Sequence, residues 1–220
     1  AMKNLIDKYG CKAGAIQCWT ALQGELGIMP CAANAILNDM GIPVVCETDI
    51  HGAVTALLAE AAVMNRSRSF FADWTVRHPT NPNGELLQHC GPWPFSVCST
   101  KPELTTPIAF TDEGSLSAEA KPCEKLTLTR FDGDNGEYSL LLGNAKSCAG
   151  PHILGTYMWV EVENIKRLEE KIVTGPYIHH CVGVYQDVVP ILYEACKYIG
   201  IKADLYDPIE EQIRAYLRGE

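Results

Sequence analysis

At 220 residues and 47% hydrophobic side chains, the chain has enough apolar material for one large core or two small ones, so a globular fold is expected. A formal net charge of −9 argues against nucleic acid or an anionic membrane as partner, because proteins that bind them carry clustered Lys and Arg. No apolar run approaches the roughly 18 residues that span a bilayer, and no secretory leader opens the chain, so a soluble, cytoplasmic protein is expected.

The chain opens with the helix pattern "MKNLIDKYG", closed by Gly10, and a short apolar strand, "AGAIQCW". A second helix, "CAANAILNDMG", leads to the strand "IPVVCE" and the helix "HGAVTALLAEAAVM". Strands and helices in strict turn predict parallel βαβ connections. The stretch "FFADWTVRHPTNPNGELLQHCGPWPFSVCS" is rich in Pro, Gly, Asn and aromatics, which predicts strands joined by irregular loops. Then "LTLTRFDGDNGEYSLLLG" reads as a hairpin about a Gly/Asp/Asn turn, and "GTYMWVEVEN" as a further strand. The tail alternates again: strand "HHCVGVYQD", helix "VVPILYEACKYIG", strand "IKADLYD", and a helix with Pro208 in its first turn. The fold class expected is an α/β layer, a parallel sheet with helices over 1–100 and 174–220, interrupted by an antiparallel, β-barrel-like domain over 101–173.

Several acids and imidazoles fall at the ends of these elements. Glu47 follows the strand "IPVVC", Asp73 lies in "FFADW", His89 in "LQHCG", and His179 and His180 open a strand. Two carboxylates with one or two His form an oxygen-and-nitrogen donor set that suits Mn²⁺ and admits Mg²⁺, Co²⁺ or Zn²⁺. Each residue alone also has a plain reading as a cap, an ion-pair partner or a hydrogen-bonded core group. Asp49 and His51 are expected to shape the start of the helix that follows them. Adjacent strand residues face opposite ways, so one of His179 and His180 is expected in a given cleft. The ten cysteines form no CxxC pair, and reduced, mostly buried thiols are expected rather than a structural zinc site.

The ordered set "AIQCWTAL", "GIPVVCETDIHGAVTALL", "FFADW", "LQHCG", "LTLTRFDGDNGEYSLLLG" and "HHCVGVY" resembles the C-terminal half of the L-fucose isomerase and L-arabinose isomerase superfamily. The resemblance covers nearly the whole chain. It implies a metal-dependent aldose–ketose isomerase working through a cis-enediol. Its ligands to a divalent ion, Mn²⁺ in the first place, would be Glu47, Asp73, His89 and His180, with Glu47 and Asp73 also moving the substrate proton. It further implies a sugar substrate contacted by His179, where fucose isomerases carry Asn. A homo-oligomer and an N-terminal domain absent from these residues are implied as well. Apart from the resemblance, Trp19, Trp74 and Trp93 could stack on a sugar face, with Trp93 the candidate chosen, although aromatic residues near Pro-rich loops more often pack. A non-catalytic sugar-binding fragment, and a carbohydrate enzyme of different chemistry on the same scaffold, are the alternatives.

Overall fold

Short apolar runs separated by helices open the chain, and two of them pair in parallel: β1 (Gly14–Ala15) lies beside β2 (Val44–Val45). Helices α1 (Met2–Tyr9), α2 (Ala21–Leu26), α3 (Cys31–Asp39) and α4 (Ile50–Ala62) surround this pair in sequence. α1 ends at Gly10, whose φ of 65° is the left-handed turn that a residue without Cβ adopts at little cost. The computed structural model describes residues 1–106 and 112–220, so residues 107–111 of the expected 101–173 unit lie outside the described residues.

The expected parallel layer goes no further than β1 and β2. Strands β3 (Phe70–Arg77), β4 (Gly84–His89), β5 (Glu103–Thr105), β6 (Ser115–Glu119), β7 (Leu126–Asp134), β8 (Glu137–Ser147), β9 (Thr156–Glu161), β10 (His180–Val184) and β11 (Lys202–Asp207) form one nine-stranded sheet. Its order is β11-β8-β7-β10-β3-β4-β9-β6-β5, and β8 pairs also with β9, which closes six strands into a ring. Most pairings are antiparallel; β11 with β8 and β6 with β9 are parallel. The connection from β3 to β4 is too short for the crossover that parallel neighbours need, so these strands form a hairpin. β10 then enters antiparallel between β3 and β7. The antiparallel sheet is therefore continuous across both expected boundaries, with β3, β4, β10 and β11 joining the strands of 101–173.

Burial on both faces explains why these strands read as members of a parallel layer. Phe70, Ala72, Leu87, Leu126, Leu128, Leu141 and Cys181 pack on one face. Phe71, Leu140, Leu142, Val182 and Val184 pack on the other, against Ala53, Ala56 and Ala59 of α4 and Leu192 and Cys196 of α6 (Val189–Ile199). With both faces covered, polar residues have no side to alternate onto, and the runs become as apolar as those of a parallel sheet. The expected hairpin forms at Asn135 and Gly136, whose φ values of 51° and 85° suit a two-residue turn between β7 and β8. An unexpected helix, α5 (Ile165–Val173), buries Ile165 and Leu168, one turn apart. The last helix, α7 (Glu210–Arg218), begins two residues after Pro208 instead of holding it in its first turn. No helix among the described residues is long and apolar enough to cross a membrane.

Candidate metal centre

Strand pairing brings the first two groups together. His180 of β10 stands directly opposite Asp73 of β3, and paired residues on antiparallel strands project from the same face. His180 Nε2 is 3.5 Å from Asp73 Oδ1. His89 ends the next strand, β4, and places its Nε2 3.9 Å from the same oxygen. Glu47 arrives from the loop between β2 and α4, with Oε2 3.3 Å from His180 Nε2 and Oε1 4.0 Å from His89 Nε2. Its backbone is left-handed, φ 62°, as is that of Thr48 at 57°. The bonds Thr48 N–H to Ile16 O, 3.1 Å, and Asp49 N–H to Cys46 O, 3.2 Å, hold this uncommon turn.

Both histidines of the pair approach Asp73, contrary to the alternation expected of a strand. β10 begins at His180, so His179 lies ahead of the ladder and is not bound by its pleat. His179 Nε2 is 3.9 Å from Asp73 Oδ1, and the donor atoms of Asp73, His179 and His180 all lie within 4.8 Å of one another. Trp93 is elsewhere. Its indole is fully buried, donates Nε1–H to Phe71 O at 2.6 Å and packs on Phe70, which corrects its expected place against a substrate. The exposed indole beside the acids is that of Trp19, which donates Nε1–H to Glu47 Oε1 at 2.8 Å.

Behind these groups lies a chain of buried charges. Asp49 caps α4 as expected, accepting from Gly52 N–H at 2.8 Å. A Cβ at Gly52 would fall 2.6 Å from Asp49 Oδ2 and 2.7 Å from the Phe71 ring, so glycine lets the helix start this close to the site. Asp49 Oδ2 also accepts from His180 Nδ1 at 2.9 Å, and both guanidinium Nη atoms of Arg130 grip the same carboxylate. Arg130 Nε–H donates to Asp132 Oδ2 at 3.2 Å, and Asp132 Oδ1 meets His51 Nδ1 at 3.0 Å. Arg130 escaped the sequence reading; its signal was a lone cation inside the apolar strand "LTLTRF".

The charges set one another. His180, with Nε2 3.3 Å from Oε2, is the main cause holding Glu47 down to about 2, against the opposing effect of burial. Burial alone would raise Asp49, but His180 and Arg130 outweigh it and keep this carboxyl well below the usual range. Burial alone would lower His180, yet Asp49, Glu47 and Asp73 push it up to about 9. His89 is lowered by burial and raised more strongly by Cys90, Asp73 and Glu47, again to about 9. Asp49, an acceptor only, fixes Nδ1 as the protonated nitrogen of His180 and leaves Nε2 facing the acids.

Asp73 Oδ1, His89 Nε2 and His180 Nε2 are three of the seven buried side-chain polar atoms without a hydrogen-bond partner among the described residues. Buried polar atoms are rarely left so, and these three face one another. Bonds of roughly 2.0–2.2 Å to one divalent ion place its donors about 3–4 Å apart, which the separations of 3.3–4.0 Å match. Asp73, His179 and His180, whose donor atoms all lie within 4.8 Å of one another, therefore fit a divalent cation, with Glu47 and His89 at the edge of that set. His89 Nδ1 accepts from Cys90 N–H at 3.0 Å, so Nε2 carries this ring's proton in the metal-free protein. The cysteines are less scattered than expected: Sγ atoms of Cys31, Cys46 and Cys90 also lie within 4.8 Å of one another, next in sequence to Glu47 and His89. Mutual hydrogen bonds hold Cys31 below the usual thiol range and raise Cys46.

No protein-family model matches the chain. It is similar to curated proteins named sulfoquinovose isomerase: 26% identical over 215 residues to those of Priestia aryabhattai and Priestia megaterium, and 29% over 202 residues to that of Alkalicoccus urumqiensis. The alignments take in 93% of this chain with the Priestia proteins and 88% with the Alkalicoccus protein, but 46% and 44% of those relatives. The chain thus spans about half the length of the curated relatives it matches. The likeness is a distant one to sugar isomerases, and not specifically to fucose or arabinose isomerases.

Proposed function

We propose that this chain carries the metal-binding and proton-moving part of an aldose–ketose isomerase. The observation that carries the reading is the convergence of Asp73 Oδ1, His89 Nε2 and His180 Nε2, all buried and unpartnered, beside the ionised Glu47. Glu47, Asp73, His89 and His180 would hold a divalent ion of the Mn²⁺ class, with His179 close enough to join them. When bound, such an ion supplies Lewis acidity to two neighbouring sugar oxygens.

The protein's own groups do the rest. Asp49 and Arg130 lock the His180 ring, so that its Nε2 is presented without reorganisation. Glu47 and Asp73 come from different elements onto one cleft. One can take the proton from the carbon beside the carbonyl while the other returns a proton to the neighbouring carbon. His179 and Trp19, with 58% and 41% exposure, stand on the open side, where sugar hydroxyls and a sugar face would be met. The names of the relatives make sulfoquinovose the first substrate to try. Because those relatives are about twice as long, further residues from additional chain or a second subunit are proposed to complete the cleft.

The test is proton exchange at carbon. With Mn²⁺ in D₂O, sulfoquinovose and a panel of pentoses, hexoses and 6-deoxyhexoses are followed by NMR. Deuterium entering carbon next to the carbonyl, with aldose-to-ketose conversion, is the expected result, and Glu47→Gln should abolish both. Metal bound without exchange on any sugar would assign the scaffold to different chemistry, and failure to bind metal at neutral pH would leave a non-catalytic module.

A further inference from the structure

The sulfur cluster belongs to no part of the proposed isomerase chemistry. Its members come from four places: Cys18 follows β1, Cys31 is the first residue of α3, Cys46 follows β2 and Cys90 follows β4. Cys18, Cys31 and Cys46 are fully buried, and Cys90, half-buried, offers a way in. The Sγ atoms of Cys31 and Cys90 are 3.3 Å apart, and those of Cys31, Cys46 and Cys90 fit within 4.8 Å. Cys18 is near enough to Cys46 for the two thiols to act on one another, though it lies outside that set of three.

We infer that Cys31, Cys46 and Cys90, with Cys18 as fourth ligand, form a thiolate site for a zinc-class d¹⁰ cation, separate from the oxygen-and-nitrogen centre beside it. The spacing supports a metal over a disulfide. Zn–S bonds of about 2.3 Å in a tetrahedron put sulfurs about 3.8 Å apart. A disulfide needs about 2.05 Å, and would use two of the four sulfurs and leave the others unexplained. Ligand type separates the two sites. Soft thiolates select zinc-class ions, whereas the carboxylates of Glu47 and Asp73 suit harder ones. Each thiol that binds loses its proton to solvent. The resulting negative charge is met by the N-terminal end of α3 at Cys31 and by Asn34 Nδ2–H, which donates to Cys46 Sγ at 3.5 Å. Such a site would tie β1, β2 and α3 to the end of β4, where the large sheet begins to supply the other centre's ligands.

Co²⁺ serves as the coloured probe. It is titrated into the reduced, full 220-residue chain with Mn²⁺ present in excess. Expected are sulfur-to-cobalt charge-transfer absorption and the visible bands of tetrahedral Co²⁺, saturating at one equivalent and bleached by Zn²⁺. Cys31→Ser and Cys90→Ser should lose the bands, and Cys11→Ser, a change at an exposed thiol, should keep them. Circular dichroism reports whether each variant folds, and the wild-type spectrum decides without them. A wild-type spectrum showing only oxygen and nitrogen ligation overturns the inference, as does a peptide map in which the chain, purified without oxidant, carries a Cys31–Cys90 disulfide.

Discussion

Two donor clusters stand back to back, and they differ in what surrounds them. Asp73, His179 and His180 meet at the open side with Glu47, whereas Cys31, Cys46 and Cys90 meet in the interior. Two pairs of sequence neighbours, Cys46–Glu47 and His89–Cys90, are divided between them. At His89–Cys90 the division falls at the end of β4, and at Cys46–Glu47 it falls where the backbone turns left-handed at Glu47. The front cluster rests on buried full charges, and the rear one on hydrogen-bonded thiols. The largest expected effect tests that difference. Arg130→Met leaves Asp49 and Asp132 without their buried cation and should cost about 3–5 kcal/mol in urea unfolding. Cys46→Ala, which strands no charge, should cost about 1 kcal/mol in the metal-free protein. Equal losses would mean that the charges at the front are no more structural than the thiols behind.

Next in size is the change that reaches the front cluster through a single hydrogen bond. Asp49→Asn keeps the shape of the cap but weakens the acceptor that orients His180. Carboxylates behind a metal-binding histidine usually matter by about 10–100-fold in affinity, so Mn²⁺ binding, followed by its electron paramagnetic resonance, should weaken by that amount. Co²⁺–thiolate absorption should not change. Loss of both signals together would show one cooperative site where two are drawn here.

Acidity should act on the front cluster with opposite signs in metal-free stability and in metal affinity. His180 and His89 are raised from 6.5 to about 9 in the fold. Their protonated forms therefore stabilise the metal-free protein fully below 6.5, and this contribution is lost as pH rises through about 9. A cation at Nε2 must displace those same protons, so Mn²⁺ affinity should climb over the window in which metal-free stability falls. Glu47, depressed to about 2, contributes stability above 4.5 that is lost only as pH falls toward 2. Unfolding free energies with and without Mn²⁺ between pH 6.5 and 9 should diverge. Parallel curves would remove His89 and His180 from the ligand set.

Much of the front cluster was legible because Glu47, His89 and His180 fall at strand ends; Asp73, expected at one too, lies inside β3. Glu47, Asp73, His89 and His180 could each be picked out as a polar residue closing or opening an apolar run, and the hairpin at Asn135–Gly136 from its turn chemistry. What was not legible depends on pairing between distant segments. Nothing local says that β10 enters between β3 and β7, so the expected parallel layer claims β3, β4 and β10, three of the ring's six strands, while β7, β8 and β9 are expected antiparallel. The thiols of Cys18, Cys31, Cys46 and Cys90 share no spacing rule, since four separate elements deliver them. Trp19 and Trp93 are both open to stacking on a sugar when read from sequence, and the packing of Trp93 on Phe70 with its bond to Phe71 O shows which indole is buried away from the cleft.

The smallest expected effect lies at that cleft's mouth. Trp19→Phe removes the N–H that Glu47 accepts but keeps an aromatic face, and the indole is 41% exposed. Water can replace the lost donor there, so stability should change by no more than about 0.5 kcal/mol. The donor is one of the causes that lower Glu47, so its loss should move that carboxyl upward. His180 remains to keep Glu47 ionised at neutral pH, and Mn²⁺ affinity at that pH should therefore hold steady. An NMR titration of the Glu47 carboxyl carbon, run beside the metal-binding curve, checks both halves. If affinity falls as far as in Asp49→Asn, the mouth is as rigidly organised as the buried charges behind it, and the contrast between an adaptable front edge and a locked second layer is lost.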